Sequence, residues 1–469
     1  MKIALVCGDG LPVSGLLSVF RNVVDIAVAD GLVELPVPAD LGFSWRPDKP
    51  VFYPEGVPDA GYPDWLEVTL TRPVPDQHWF AEELTRIRDA VARPDLLSSG
   101  QAAELSERID RLATPYEEYF AQWLDKHQVD WVVAVNMTLS DAVPVTLALH
   151  RAAARHWADD RPGGLLFWDH DLFASYAVHE GEQRVYPHVP NAFTPLPGTH
   201  PSHRWAVVCE PLARESATYP TGLSADLVPN VLPVPRRDTT DRRRRFLAQI
   251  GADPERPIIL CPVRMFRVKG VEIAVGLLAA VRENTRANGR PTPLLLVFGA
   301  LGEDPEYAQE VLAAVAAADI APDIRFLDGV PLTSFQDTAG HWHLDETDLL
   351  ALCRASHGGV FFTPNRPDVE SVGLGPALAA VAGVPCATTA YEVLDDIYGD
   401  GFRQVLVRPD AITEAGAEFA DRLDRFRRGD EQLHHDLAHN RDIVAARFPD
   451  RPWRDLLTDM AALIRGDHR

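Results

Sequence analysis

The chain has 469 residues, with 45 Lys and Arg against 68 Asp and Glu, a formal net charge of -23. Its hydrophobic share of 46% and charged share of 24% are those of a globular protein too long for one ordinary core, which points to two domains of roughly 200 residues each. So acidic a balance excludes non-specific nucleic-acid binding, which needs clustered Lys and Arg, but leaves room for a phosphate-bearing small ligand held by a few local cations and backbone amides.

The N-terminus, Met1-Lys2-Ile3-Ala4-Leu5-Val6-Cys7, has one charge and a short apolar run that stops at Gly8, so it reads as a first strand and not as a signal peptide. No run approaches the ~18 apolar residues of a membrane span. The five cysteines are far apart and show no CxxC pairing, as expected of reduced thiols in a cytoplasmic protein.

A Gly-containing turn, Gly8-Asp9-Gly10 to Ser14-Gly15, leads from the first strand into an apolar-periodic helix over Leu16 to Val28. Buried strands are predicted at Trp131 to Val135 and Leu165 to Trp168, with helices before and between them. Such alternation argues for a parallel sheet covered on both faces. Residues 34 to 76, rich in Pro, Asp and aromatics, read as an irregular insertion, either a structural loop or one that helps to shape an acceptor pocket for a small molecule. A proline-rich stretch, Val228 to Pro235, followed by the charged run Arg242 to Arg245, marks a domain boundary near 235.

A second α/β series follows: strand Pro257 to Val263, helix Val271 to Asn288, strand Leu294 to Phe298, helix Pro305 to Ala318. After it come a strand near Ile324 to Leu327, a helix over Asp345 to Ala355 and a strand at Gly359 to Thr363. The expected architecture is therefore α/β, two Rossmann-like doubly wound domains spanning about 1–235 and 236–450. The remaining 451–469 hold an amphipathic helix, Trp453 to Ile464, that in a two-domain chain would cross back to the first domain.

Three features fall at the C-terminal ends of predicted strands, where open α/β sheets bind ligands. Arg264-Met265-Phe266-Arg267-Val268-Lys269-Gly270 puts an Arg and a Lys before a helix N-terminus, an arrangement suited to a diphosphate. Lysine occurs only at Lys2, Lys49, Lys126 and Lys269, which adds weight to the last. Gly299-Ala300-Leu301-Gly302 is a small-residue turn that admits a ligand close to backbone. Glu370-Ser371-Val372-Gly373-Leu374 sets a carboxylate ahead of three amides, for sugar hydroxyls and a phosphate respectively; a helix cap is the structural account of the same Glu370.

Taken together these segments resemble the family 4 retaining glycosyltransferases of GT-B fold. That family carries an Arg followed by Lys-Gly, a small-residue turn, and a Glu-any-Phe-Gly-Leu segment whose Ala-rich helix ends Gly-any-Pro. Glu370 to Leu374 matches with Val for Phe, Gly383-Val384-Pro385 stands at the helix end, and Pro229-Asn230 is similar to the family's interdomain element. The resemblance implies a nucleotide-sugar donor, a saccharide or small-molecule acceptor, a retained anomeric configuration, and neither metal nor further cofactor.

It further implies that Arg264 and Lys269 hold the donor diphosphate, with Glu370 on hydroxyls of the transferred sugar. Gly299, Ser371, Val372, Gly373 and Leu374 would complete the donor site. Phe167-Trp168-Asp169-His170-Asp171-Leu172 resembles the family's acceptor-facing His-Asp element and nominates His170. Gly10, Ser14, Gly15 and Asn136 are acceptor-side candidates. One departure stands out: the second Glu that serves the ribose in the family is here Leu378, which leaves Glu392 as a substitute to consider.

Other readings fit less of the chain. Asp169-His170-Asp171 satisfies the two-carboxylate metal pattern of GT-A enzymes, but those carry one nucleotide domain near the N-terminus. His341, His343, His435 and His439 lack zinc-site spacing. Gly8-Asp9-Gly10 is followed by Val13 where a dinucleotide fingerprint needs Gly. A pseudo-glycosyltransferase, phosphorylase or epimerase of the same fold, or a non-catalytic sugar-nucleotide-binding relative, remain alternatives.

Overall fold

A computed structural model describes residues 1–10, 14–42, 61–69, 73–159, 161–176, 178–180, 183–235 and 240–466. The first part of the chain runs β1 (Ile3–Cys7), α1 (Gly15–Ala29), β2 (Val37–Leu41), β3 (Leu66–Thr69), α2 (Gln77–Ala92), α3 (Ser99–His127), β4 (Trp131–Val135), α4 (Val143–His156) and β5 (Gly164–Asp169). A short hairpin, β6 (His179–Glu180) and β7 (Gln183–Arg184), precedes β8 (His203–Val207), α5 (Glu210–Ser216) and β9 (Asp226–Leu227). Seven of these strands form one parallel sheet in the order β3-β2-β1-β4-β5-β8-β9.

The second part comprises α6 (Thr240–Gln249), β10 (Ile258–Cys261), α7 (Val271–Ala287), β11 (Leu294–Val297), α8 (Pro305–Ala317) and β12 (Ile324–Phe326). A second hairpin, β13 (Phe335–Gln336) and β14 (Trp342–His343), leads to α9 (Glu346–Ala355), β15 (Gly359–Phe362), α10 (Gly375–Ala382), β16 (Cys386–Thr389), α11 (Leu394–Tyr398) and β17 (Val405–Val407). Helices α12 (Ile412–Arg427), α13 (Glu431–Arg447) and α14 (Arg451–Arg465) end the chain. The six-stranded parallel sheet has the order β12-β11-β10-β15-β16-β17.

The central strands are buried along their whole length, β1, β4, β5, β10, β11 and β15 alike, because helices cover both faces. In each sheet the first strand is flanked by partners reached in opposite directions, β2 and β4 around β1, β11 and β15 around β10. The order of strands reverses there, which opens a crevice beyond their C-terminal ends.

The segment expected to be an irregular insertion, 34–76, requires correction. Val37–Leu41 and Leu66–Thr69 are strands β2 and β3 of the main sheet, with Val37 paired to Leu66 and Leu5 to Ala39. Pro38 inside β2 hid the strand, since a proline within a run ordinarily argues against a sheet interior. Residues 43–60 and 70–72 lie outside the described residues.

Helix α14 packs against α1. Trp453 is fully buried with its ring centroid 4.6 Å from that of Trp168, the Trp131 indole donates to the Met460 carbonyl at 3.3 Å, and Arg454 pairs with Asp30. The last helix is therefore part of the first sheet's core. Trp453→Ala should lower unfolding free energy by about 3–5 kcal/mol, read from urea denaturation, because the void left against Trp168 cannot collapse fully.

Candidate functional site

The ends of the two sheets face one cavity of ≈ 1080 Å³, lined from the first part by Asp9, Ser14, Asn136, His170 and Asp171 and from the second by Arg264, Lys269 and Glu370 to Leu374. That volume exceeds an ordinary small-ligand pocket of roughly 300–1,000 Å³ and has space for two substrates.

Each second-part group arrives on a turn whose shape is enforced. Gly270, at φ 61°, ends the turn that carries Lys269, and a Cβ there would stand 1.9 Å from the Thr363 carbonyl oxygen. Only glycine lets this turn lie against the end of β15. Lys269 Nζ then donates to Glu370 Oε1 at 2.7 Å, with the two side chains 23% and 8% exposed. Burial raises the Glu370 pKa, and Lys269 opposes that rise. The carbonyls of Val372 and Gly373 accept from the Tyr391 hydroxyl, and Tyr398 donates to the Gly373 carbonyl at 2.6 Å. The N–H groups of Val372, Gly373 and Leu374 have no acceptor among the described residues, ahead of a helix with no side-chain cap, so they can receive an anion.

Gly299 has a different role from the one expected of it. It does not line the cavity; its Cβ would meet the Met265 amide nitrogen at 2.4 Å, so glycine here allows the Arg264 turn to pack on the turn after β11. Glu303, which sequence reasoning passed over, joins the same two turns by accepting from Met265 N at 2.6 Å and Ala300 N at 3.1 Å while fully buried. Its position one residue after Gly302 gave no signal of this.

On the opposite wall Ser14 caps α1, accepting from Leu17 N, and donates to Asp9 at 3.0 Å. Gly15 opens onto the cavity, while Gly10 is buried and does not line it. Asn136 sits in the left-handed region at φ 53°, accepts from His170 N and Asp171 N, and donates to Asp171 Oδ2 at 3.0 Å. It shapes the turn after β5 as well as lining the cavity.

His170 lies 4.6 Å, ring to ring, from Trp168; its Nε2 has no hydrogen-bond partner among the described residues, and burial lowers its pKa to about 3. The imidazole is neutral across the physiological range. Asp169 and Asp171 do not form a metal pair. Asp169 is fully buried and accepts from Thr138 and Trp205, with its pKa raised by burial to about 7, whereas Asp171 lines the cavity. Asp169 is the last residue of β5, and the chain turns away beyond it where Asn136 binds His170 N and Asp171 N, so the two carboxylates part despite their spacing.

Contacts cross between the walls, among them Arg366 with His179 Nδ1 at 3.5 Å. Arg264 pairs with Asp9 at 3.3 Å, and Ser371 Oγ donates to Asp171 at 2.5 Å. Asp9 was not singled out from the sequence as a site residue, and Asp171 was weighed only as half of a metal pattern. Glu392 is a further correction: it is exposed and off the cavity, its N–H bound to the Pro367 carbonyl, because neighbouring Tyr391 turns inward against Phe362.

Glu303→Ala should cost about 2–4 kcal/mol in unfolding free energy, since two buried N–H groups lose a charged acceptor. Acid sensitivity offers a second check. With a folded pKa of about 3 against the ordinary 6.5, His170 contributes stability that is complete above pH 6.5 and lost as pH falls towards 3. His170→Gln should make the dependence of unfolding free energy on pH shallower between pH 6 and 4, by up to about 1.4 kcal/mol per unit.

No family model and no curated protein matches the chain. Solved structures do. A glycosyltransferase from Rickettsia africae is 12% identical, with 100% of this chain and 99% of that one covered at a TM-score of 0.55. Sucrose-phosphate synthase from Thermosynechococcus elongatus is 16% identical over 99% of both chains, TM-score 0.56. Anabaena HepE, solved with UDP-glucose, is 12% identical over 98% of this chain and 100% of that one, TM-score 0.54. The fold of this chain is the GT-B fold of glycosyltransferases, with two parallel α/β sheets facing one cavity.

Proposed function

We propose that the protein is a glycosyltransferase that moves a sugar from a nucleoside diphosphate sugar to a saccharide or small-molecule acceptor with retention at the anomeric carbon. One observation carries the reading. Lys269, Arg264 and the N–H groups of Val372 to Leu374 converge on one end of a cavity that also holds Glu370 and His170. This is an anion site beside hydroxyl-binding groups, and HepE's complex with UDP-glucose in the same fold supports the donor class.

In the proposed reaction the bond between the anomeric carbon and the diphosphate oxygen breaks, its electron pair leaving with the diphosphate. The acceptor oxygen bonds to the same face of that carbon, and its proton passes to the departing phosphate. Arg264 and Lys269 offset the charge that builds on the leaving group, where a water-poor site makes such stabilisation strong. Glu370 accepts from hydroxyls of the transferred sugar. His170, neutral and with an unused Nε2, hydrogen-bonds the donor sugar near the reacting carbon. The two cations replace a metal in this scheme, so turnover is expected to survive chelation.

The acceptor side is built from the stacked pair Tyr176 and Tyr186, 5.6 Å apart, with Val178 and Val185 beside them. Aromatic faces of this kind suit a sugar ring or another small molecule. Among the described residues no helix is long and apolar enough to cross a membrane. The five free, buried cysteines support a cytoplasmic location. Leu378 in place of a ribose-binding Glu favours a second reading, a non-catalytic carbohydrate- or nucleotide-binding relative of this fold.

Arg264→Ala and Lys269→Ala are each expected to lower kcat/KM by at least about 10²-fold with the fold retained by circular dichroism, as befits loss of transition-state charge stabilisation. Unchanged turnover in both variants sinks the diphosphate assignment. An inverted product, read by proton NMR of the anomeric signal, sinks retention, and abolition by EDTA sinks metal independence.

A further inference from the structure

Leu378 lies in α10 one helical turn, about 5.4 Å, beyond Leu374 and its free N–H. It is 4% exposed, belongs to an apolar cluster with Phe298, Val330 and Leu344, and lines the cavity together with the first two. The ribose is the part of a nucleotide bonded directly to the diphosphate, so a diphosphate at Val372 to Leu374 sets the ribose about where Leu378 stands. Leucine offers the ribose hydroxyls nothing.

The neighbouring helix supplies what Leu378 lacks. Helix α9 packs against α10, and its first residue, Glu346, lines the same cavity. Among the described residues its carboxylate has no hydrogen bond and no ion pair. The charges that act on it are already engaged elsewhere. Arg21 donates to the Leu332 carbonyl and to Asn22, and Asp345 caps α9 by accepting from Asp348 N. Glu346 is part-buried and faces the cavity, so a carboxylate that no protein donor holds is available there to donors of a ligand.

We propose that Glu346 accepts both hydroxyls of the ribose cis-diol of the nucleoside diphosphate donor, so that the ribose is read from α9 instead of α10. The inference rests on the nucleotide-sugar reading above. Two carboxylate oxygens match two vicinal O–H donors, and the apolar surface of Phe298, Val330 and Leu378 is left for the flat base.

The test is calorimetric titration of the full-length protein and of Glu346→Leu and Glu346→Gln with UDP, GDP and ADP, and with the 2′-deoxy form of whichever binds tightest. The intact protein should prefer the ribonucleotide over its deoxy form by about 10- to 100-fold, the range for hydrogen bonds to a charged acceptor. Glu346→Leu should bind both equally, at the weaker level, and Glu346→Gln should fall between. The donor KM should rise with kcat nearly unchanged, and thermal stability of Glu346→Leu should equal or exceed that of the parent, which a structural carboxylate would not allow.

A ribo-to-deoxy ratio that persists in Glu346→Leu overturns the inference. So does a change confined to preference among the three bases, which would put the carboxylate on the base edge. If none of the three diphosphates binds the intact protein, the functional reading falls and the inference with it.

Discussion

A charge taken out of water needs a partner, and in this protein that requirement organises the cavity. Lys269 and Glu370 stand 2.7 Å apart with little solvent around either, and either one alone would cost several kcal/mol. Glycine at 270 is what brings the lysine turn to the end of β15 so that the pair can form. Across the cavity Asp9 performs the same service for Arg264. Both cations thus have internal carboxylates as partners, with which the diphosphate of the proposed donor would compete for the same two groups.

Those pairings also couple the cavity to the arrangement of the two sheets. Helix α1 begins at the cavity with Ser14, and farther along Asn22 donates to the Val231 carbonyl of the connecting segment while Arg21 donates to the Leu332 carbonyl beyond β12. On its other side α1 meets α14, whose Trp453 completes the core under Trp168, two residues before His170. One helix therefore touches the cavity wall, the crossover and the returning C-terminal helix. An anion that draws Arg264 away from Asp9 would act on the same helix's first turn through the Asp9–Ser14 bond.

Much of the second part was legible from residue order. Ile258–Cys261, Leu294–Val297 and Gly359–Phe362 are continuous apolar runs with a basic, a small-residue and an acidic turn after them, and parallel topology sends all three turns to one edge. The first part was less legible for definite reasons. Pro38 masked β2, and Asp9, between two glycines, looked like turn chemistry alone. Glu392 was chosen for its acidity, but a side chain's direction depends on its neighbour, and Tyr391 had taken the inward position.

The sequence by itself determined the elements and the chemical types at their ends, because burial on both faces of a parallel strand forces a continuous apolar run and leaves function to the turns. It also placed Leu378 where the family it resembles carries a ribose-binding Glu. Only the tertiary structure decided which groups meet. Asp9 with Arg264, Asp171 with Ser371, and Glu346 beside Leu378 are separated by 255, 200 and 32 positions respectively, and Coulomb and hydrogen-bond terms depend on distance in space, to which separation along the chain is no guide.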